Sequence, residues 1–167
     1  MAGKKMFGGR IIRLFAGKKT LPNGKKAYIE EVDHPGAALI VPFASGKMVF
    51  VRQYRAVIDK YIWELPAGII DRGETPYACA KREIAEETGY SVRNLRRIGV
   101  IYTSPGFCNE KIHIFRADCG ARKAPATEEH ELLRVRHFSK KEVVSLFRSG
   151  KITDSKTIAA LAFARVL

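Results

Sequence analysis

Apolar and polar residues change rhythm along this chain in a way that predicts a mixed strand-and-helix domain. Short alternating or continuous apolar runs predict strands over residues 10–15, 26–32, 37–41, 48–53, 61–65, 95–102, 111–117 and 134–138. Pro22-Asn23-Gly24 reads as a hairpin turn, and Ser45-Gly46 as a second turn. Pro66 closes the strand before it, because proline carries no backbone donor. The clearest helix runs over 75–89. Thr75 fits the N-cap, Pro76 the first helical position and Gly89 the position past the end, while Tyr77, Ala80 and Ile84 form one apolar stripe. Ser139 with Glu142 is a capping box opening a helix through Arg148, stopped by Gly150, and Asp154 opens a last helix over 155–165. Strands and three helices without strict βαβ alternation predict an α+β fold, a sheet flanked by helices.

Composition narrows this only a little. The chain has 167 residues, 46% hydrophobic and 28% charged, which suits one well-buried domain and excludes a disordered chain. No apolar run approaches the ~20 residues of a membrane helix. The longest, residues 37–44, contains Pro42. Arg13 interrupts the apolar stretch of Ile11, Ile12, Leu14 and Phe15, so no secretory leader is expected. Cys79, Cys108 and Cys119 are odd in number and lack CxxC spacing, which favours a reducing cytoplasm over a disulfide framework or zinc ribbon.

Charge is more informative. Thirty Lys and Arg against seventeen Asp and Glu give +13, with eight basic residues and no acid before Glu30. Further clusters are Arg93, Arg96 and Arg97, then Arg134, Arg136, Lys140 and Lys141. Such a surface attracts polyanions or simply maintains solubility. Aromatics do not interleave with it as on a nucleic-acid platform, so nucleic acid is not the expected partner.

Against this basic background, Glu83, Glu86 and Glu87 stand at i, i+3 and i+4 on one helix. Like charges at that spacing repel, and the C-terminal half of a helix disfavours anions. Two readings are open: a solvated face balanced by Lys81 and Arg82, or ligands for a hard cation such as Mg²⁺ or Mn²⁺.

The surrounding residues favour the second. Gly68, five residues, Glu74, seven residues, then Arg82-Glu83-Ile84-Ala85-Glu86-Glu87-Thr88-Gly89-Tyr90 resembles the Nudix box in full, with Tyr90 where an aliphatic residue is usual. The resemblance implies a Nudix-type α/β/α sandwich with a mixed sheet and hydrolysis of a diphosphate linked to another group. It implies that the Ala67 carbonyl, Glu83, Glu86 and Glu87 hold Mg²⁺, with Glu87 central to catalysis. Gly68 lets the loop turn, Glu74 pairs with Arg82, and Gly89 ends the helix.

Beyond the box, the chain resembles the ADP-ribose pyrophosphatase branch of that family. The resemblance rests on Val51-Arg52-Gln53-Tyr54-Arg55, on Trp63-Glu64-Leu65-Pro66-Ala67-Gly68, and on Pro105 sixteen residues after Gly89 in Ser104-Pro105-Gly106-Phe107. It implies a nucleotide-sugar substrate contacted by Arg52, Arg55, Glu64 and Pro105. Tyr28, Tyr54 and Phe107 are alternatives for stacking on adenine. For the base that activates water, Glu129 in the 127–132 loop is favoured, Glu110 competes, and Glu131 is a further metal contact. His130 is a bystander, and His34, His113 and His137 show no ligand spacing. Residues 1–34 are expected to form a small β subdomain that crosses to a partner in a homodimer, with 35–167 the hydrolase domain. Nucleoside triphosphate pyrophosphohydrolase activity, or non-catalytic nucleotide sensing or nucleic-acid binding, are the alternatives.

Overall fold

A computed structural model describes residues 3–125 and 132–167. The elements in chain order are β1 (Lys4–Gly8), β2 (Arg13–Thr20), β3 (Lys26–Asp33), β4 (Ala37–Ala44), β5 (Lys47–Arg55), β6 (Lys60–Glu64), β7 (Ala67–Ile69), α1 (Pro76–Thr88), β8 (Tyr90–Tyr102), β9 (Lys111–Arg122), β10 (Leu133–Phe138), α2 (Lys140–Arg148) and α3 (Ser155–Phe163). Strands β1, β2 and β3 make a small antiparallel sheet. The main sheet runs β10-β5-β4-β9-β8, with β6 paired to β5 and β7 to β4. The β4–β9 pair is parallel and its neighbours antiparallel, so the sheet is mixed.

Alternation along β4 explains the three layers. Leu39 and Val41 face one core with Phe50, Val143, Ala160 and Leu161, which places α2 and α3 on that side. Ala38 and Ile40 face the other core with Cys79, Ala80 and Ile84 of α1. Leu39 and Ile40 are wholly excluded from solvent, and each such side chain contributes about 1.5–3 kcal/mol. The result is the expected α+β sandwich.

Caps set the helices as the sequence indicates. The Thr75 side chain accepts from the Ala78 amide at 3.2 Å. Ser139 and Glu142 complete a reciprocal capping box, and Asp154 accepts from the Thr157 amide at 3.0 Å. Gly89 follows α1 in the left-handed region at φ 76°.

Several boundaries differ from expectation. The first predicted strand, 10–15, is displaced: β1 ends at Gly8, and β2 starts at Arg13 and runs to Thr20. A Gly-Gly pair and a run of lysines hide both strands from periodicity. Strand β4 continues through Pro42, at the point where its neighbour changes from β7 (at residues 37–39) to β5 (at residues 43–44). Strand β7 resumes pairing immediately after Pro66. Tyr77 is not in the buried stripe of α1. It is 45% exposed, and that stripe holds Cys79, Ala80, Glu83, Ile84, Glu87 and Thr88.

The small sheet is tied to the loop before β9. Val32 donates to the Phe107 carbonyl at 2.7 Å, and Asn109 donates to the Val32 carbonyl at 3.1 Å. The Asn109 side chain also donates to Asp33 at 2.7 Å and accepts from the His34 amide at 2.8 Å. These bonds hold Phe107 and Asn109 against the end of β3.

Candidate active site

The loop between β7 and α1 is organised by one arginine. Arg82 donates from Nε and Nη2 to the two oxygens of Glu74 at 3.1 and 3.0 Å, and from Nη2 to the Ile69 carbonyl at 3.1 Å. Glu74 in turn accepts from the Asp71 amide at 3.1 Å. The Arg82 pairing holds the Glu74 carboxyl below its ordinary range. A planar fork suits this double contact in a way an ammonium does not.

The same guanidinium reaches the acidic triplet. Nη1 lies 2.5 Å from Glu83 Oε1 and 3.0 Å from Glu86 Oε2. The triplet does not share one environment. Glu83 and Glu87 are buried, at 9% and 3% exposure, whereas the Glu86 side chain is 43% exposed. Among the described residues no three His, Cys, Asp or Glu side chains converge as a ready-made ligand set. Burial of two carboxylates follows from the interior stripe of α1, which sets Glu83 against Gly68 of β7.

There the backbone makes room. A Cβ on Gly68 would lie 1.9 Å from the Glu83 carboxylate, so any larger residue there would push that carboxylate aside. Cys79 fixes the other side of the turn, with Sγ 3.5 Å from the Gly68 carbonyl and 3.4 Å from that of Ile69. Burial pushes the Cys79 thiol up to about 12, which leaves it neutral. The Ala67 carbonyl and the carboxylates of Glu83, Glu86 and Glu87 are all hard oxygen donors. As oxygen-only donors they fit a divalent cation such as Mg²⁺ in chemistry.

Ala67 and Gly68 form part of the lining of a cleft of about 560 Å³. Its other walls include Arg55, Ser104, Phe107, Glu110 and Lys156, with Ile11 contributed by the connection between β1 and β2. Arg55 donates through Nε and Nη2 to Glu64 at 2.6 and 2.7 Å, and Lys156 Nζ reaches Glu64 Oε2 at 2.5 Å and Asp154 at 2.8 Å. Burial raises the Glu64 carboxyl, but the two cations outweigh it and hold it below its ordinary range. Glu110 accepts from the Thr103 hydroxyl at 2.8 Å.

The expected substrate residues are thus unevenly placed. Arg55 and Phe107 line the cleft; Glu64 is 1% exposed behind Arg55 and does not line it. Arg52 does not line it either. Three positions from Arg55 on a strand, it faces the opposite side and stacks on Tyr61 and Trp63 at 5.2 and 5.9 Å. Pro105 lies in the exposed turn whose flanks, Ser104 and Phe107, do line the cleft. Tyr28 is 67% exposed on β3, outside the lining. Tyr54 instead hydrogen-bonds Asp59 at 2.5 Å. Glu129 and Glu131 lie outside the described residues. Sequence reasoning misses Lys156. It reads as a helix-surface lysine, and only the fold brings it to Glu64, 92 positions away.

The chain is similar to known proteins over most of its length. The NUDIX domain family matches residues 33–161. An ADP-ribose pyrophosphatase of Bacillus subtilis (strain 168) is 35% identical over 166 residues, spanning 98% of this chain and 90% of that one. A GDP-mannose pyrophosphatase of Salmonella arizonae is 34% identical over 145 residues, spanning 80% and 75%. A crystal structure described as an ADP compounds hydrolase has the same fold. It superposes with a TM-score of 0.83 over 97% of this chain and 89% of that chain, at 21% identity.

Proposed function

This chain belongs to the Nudix family and is a pyrophosphatase, and from that premise we propose that it hydrolyses the diphosphate linkage of ADP-ribose to AMP and ribose 5-phosphate. Related nucleoside diphosphate sugars are further substrates, as the GDP-mannose pyrophosphatase relative suggests. The observation that carries the reading is the meeting of the buried Glu83 with the Ala67-Gly68 turn at the floor of a cleft walled by Arg55 and Lys156.

The Ala67 carbonyl, Glu83, Glu86 and Glu87, with Glu131 from the 127–132 segment, would hold Mg²⁺ or its substitute Mn²⁺. When bound, the ion would neutralise diphosphate charge and acidify a water. The protein's own residues account for the rest. Glu64 occupies Nε and Nη2 of Arg55, which leaves Nη1 to donate to a phosphate oxygen. The Phe107 ring, 59% exposed, offers a stacking face to adenine. Glu129 takes the proton from the attacking water as a phosphorus–oxygen bond of the anhydride breaks, and Glu110 is the second candidate for that role.

The apolar side chains left bare on the small sheet support a homodimer in which residues 1–34 complete the neighbouring cleft, and three free cysteines suit a cytoplasmic setting. Tyr28 would then meet substrate in the partner's cleft. A substrate panel tests the activity: ADP-ribose, other nucleotide sugars, dinucleoside polyphosphates and nucleoside triphosphates, each with and without Mg²⁺. Preferential turnover of ADP-ribose is the expected result. Preference for triphosphates would overturn the substrate assignment.

A further inference from the structure

A second concavity, of about 520 Å³, shares no lining residue with the cleft. Its walls carry four arginines, Arg96, Arg97, Arg116 and Arg165, together with Phe163, and no acidic side chain lines it. Among the described residues none of the four guanidiniums is ion-paired. Asp118, the nearest acid along the same face of β9, is engaged instead by the Asn94 amide at 3.3 Å.

The fold builds this hollow against electrostatic cost. Arg96 and Arg116 are directly opposed partners in the β8–β9 ladder, where like charges repel. Arg116 is held in place by the Phe43 ring, whose centroid lies 4.1 Å from its guanidinium carbon. Phe163 forms a wall by lying on the bare backbone of Gly99: a Cβ there would fall 2.6 Å from the ring. Lys140 Nζ donates to the Arg165 carbonyl at 2.9 Å and anchors the segment after α3. A cation at the C-terminal end of a helix is favourable, which accounts for Arg165. It does not account for three more arginines gathered from two strands.

We propose that this arginine-walled concavity binds a small polyphosphate-bearing anion. Several guanidinium forks around one bounded hollow suit a compact, multiply charged group. A nucleic-acid backbone would ask for cations spread along a track.

The test is calorimetric titration of the full chain with inorganic tripolyphosphate, without divalent cation, beside orthophosphate and a short DNA duplex. Tripolyphosphate is expected to bind well above orthophosphate, and the R96Q/R116Q variant to weaken it by about tenfold or more. Arg55→Gln, in the cleft, should leave that binding intact. R96Q/R116Q should fold and keep wild-type ADP-ribose turnover, since it removes an opposed like-charge pair. If it does not fold, Arg97→Gln decides by the same readout. The proposal is overturned if the arginine variants bind as the wild type does, if Arg55→Gln abolishes binding, or if tripolyphosphate binds no better than orthophosphate. Tighter binding of the duplex, lost in R96Q/R116Q, would overturn it in favour of nucleic acid.

Discussion

Gly68 and Glu83 occupy the same pocket of space: a side chain on one would displace the carboxylate of the other, because a Cβ on Gly68 would come within 1.9 Å of it. Gly68→Ala therefore acts on chemistry through position. The helix caps, the Arg82–Glu74 pair and both cores are untouched, so the fold should persist. Displacing Glu83 by an ångström or so should lower kcat by about 100-fold. Steady-state kinetics beside a thermal melt checks this, and wild-type turnover in the Gly68→Ala variant would show that the carboxylate can sit elsewhere.

Glu87 is the more buried of the two inward-facing acids, and Glu86 faces solvent. Glu87→Gln keeps the shape and removes the charge. We expect kcat to fall by about 100–1000-fold with little change in the melting midpoint. Treatment with a chelator should abolish turnover in the wild type, and Mg²⁺ or Mn²⁺ should restore it. Turnover that survives chelation would remove the divalent ion from the reaction.

Much of this site was legible because it is local. The box from Gly68 to Tyr90 lies within one loop and one helix, where spacing converts directly into geometry, and the Glu74–Arg82 pair spans only eight positions. What the sequence could not supply was the facing of side chains set by non-local pairing. Arg52 and Arg55 look equivalent until strand alternation turns them to opposite sides. Glu64 looks substrate-facing until α3 brings Lys156 over it. The acidic triplet likewise reads as one face of a helix. Only the packing of α1 against the sheet buries Glu83 and Glu87 and leaves Glu86 outside. Caps and the Asn-Gly hairpin turn fixed element ends well, whereas lysine-rich β2 and the three-residue β7 carry no apolar periodicity to read.

Glu64 gives the protein an acid-sensitive joint. Its folded carboxyl is held below the unfolded value by Arg55 and Lys156 despite burial. A lowered folded pKa contributes stability that is present above the unfolded value, about 4.3. That stability is lost as pH falls through the folded value. Glu64→Gln should therefore lower stability by about 2–3 kcal/mol at neutral pH, below the usual cost of breaking a fully buried pair because Arg55 is partly exposed. It should also flatten the acid limb of a melting-midpoint profile. An unchanged acid limb would show that the pair contributes nothing to folding.

The two base candidates differ in context. Glu110 accepts a hydrogen bond from Thr103 on the cleft wall, and Glu129 belongs to the segment between β9 and β10. Glu129→Gln is expected to lose about 100–10,000-fold in kcat, with KM nearly unchanged, as for a general base. Glu110→Gln should cost far less. The reverse order would transfer the role to Glu110.

The small sheet leaves Met6, Phe7, Ile11 and Ile12 exposed at 59%, 57%, 54% and 40%. Neighbouring apolar side chains bare to water on one subdomain are characteristic of an interface. Ile11 also lines the cleft, so an interface formed there would change the site as well as the surface. Phe7→Glu should shift the protein from dimer to monomer in light scattering coupled to size exclusion, and turnover should fall with it. Phe7 itself does not line the cleft, so the activity lost on dilution should follow the monomer fraction. A wild-type protein that is monomeric and fully active would show that each cleft is complete within its own chain.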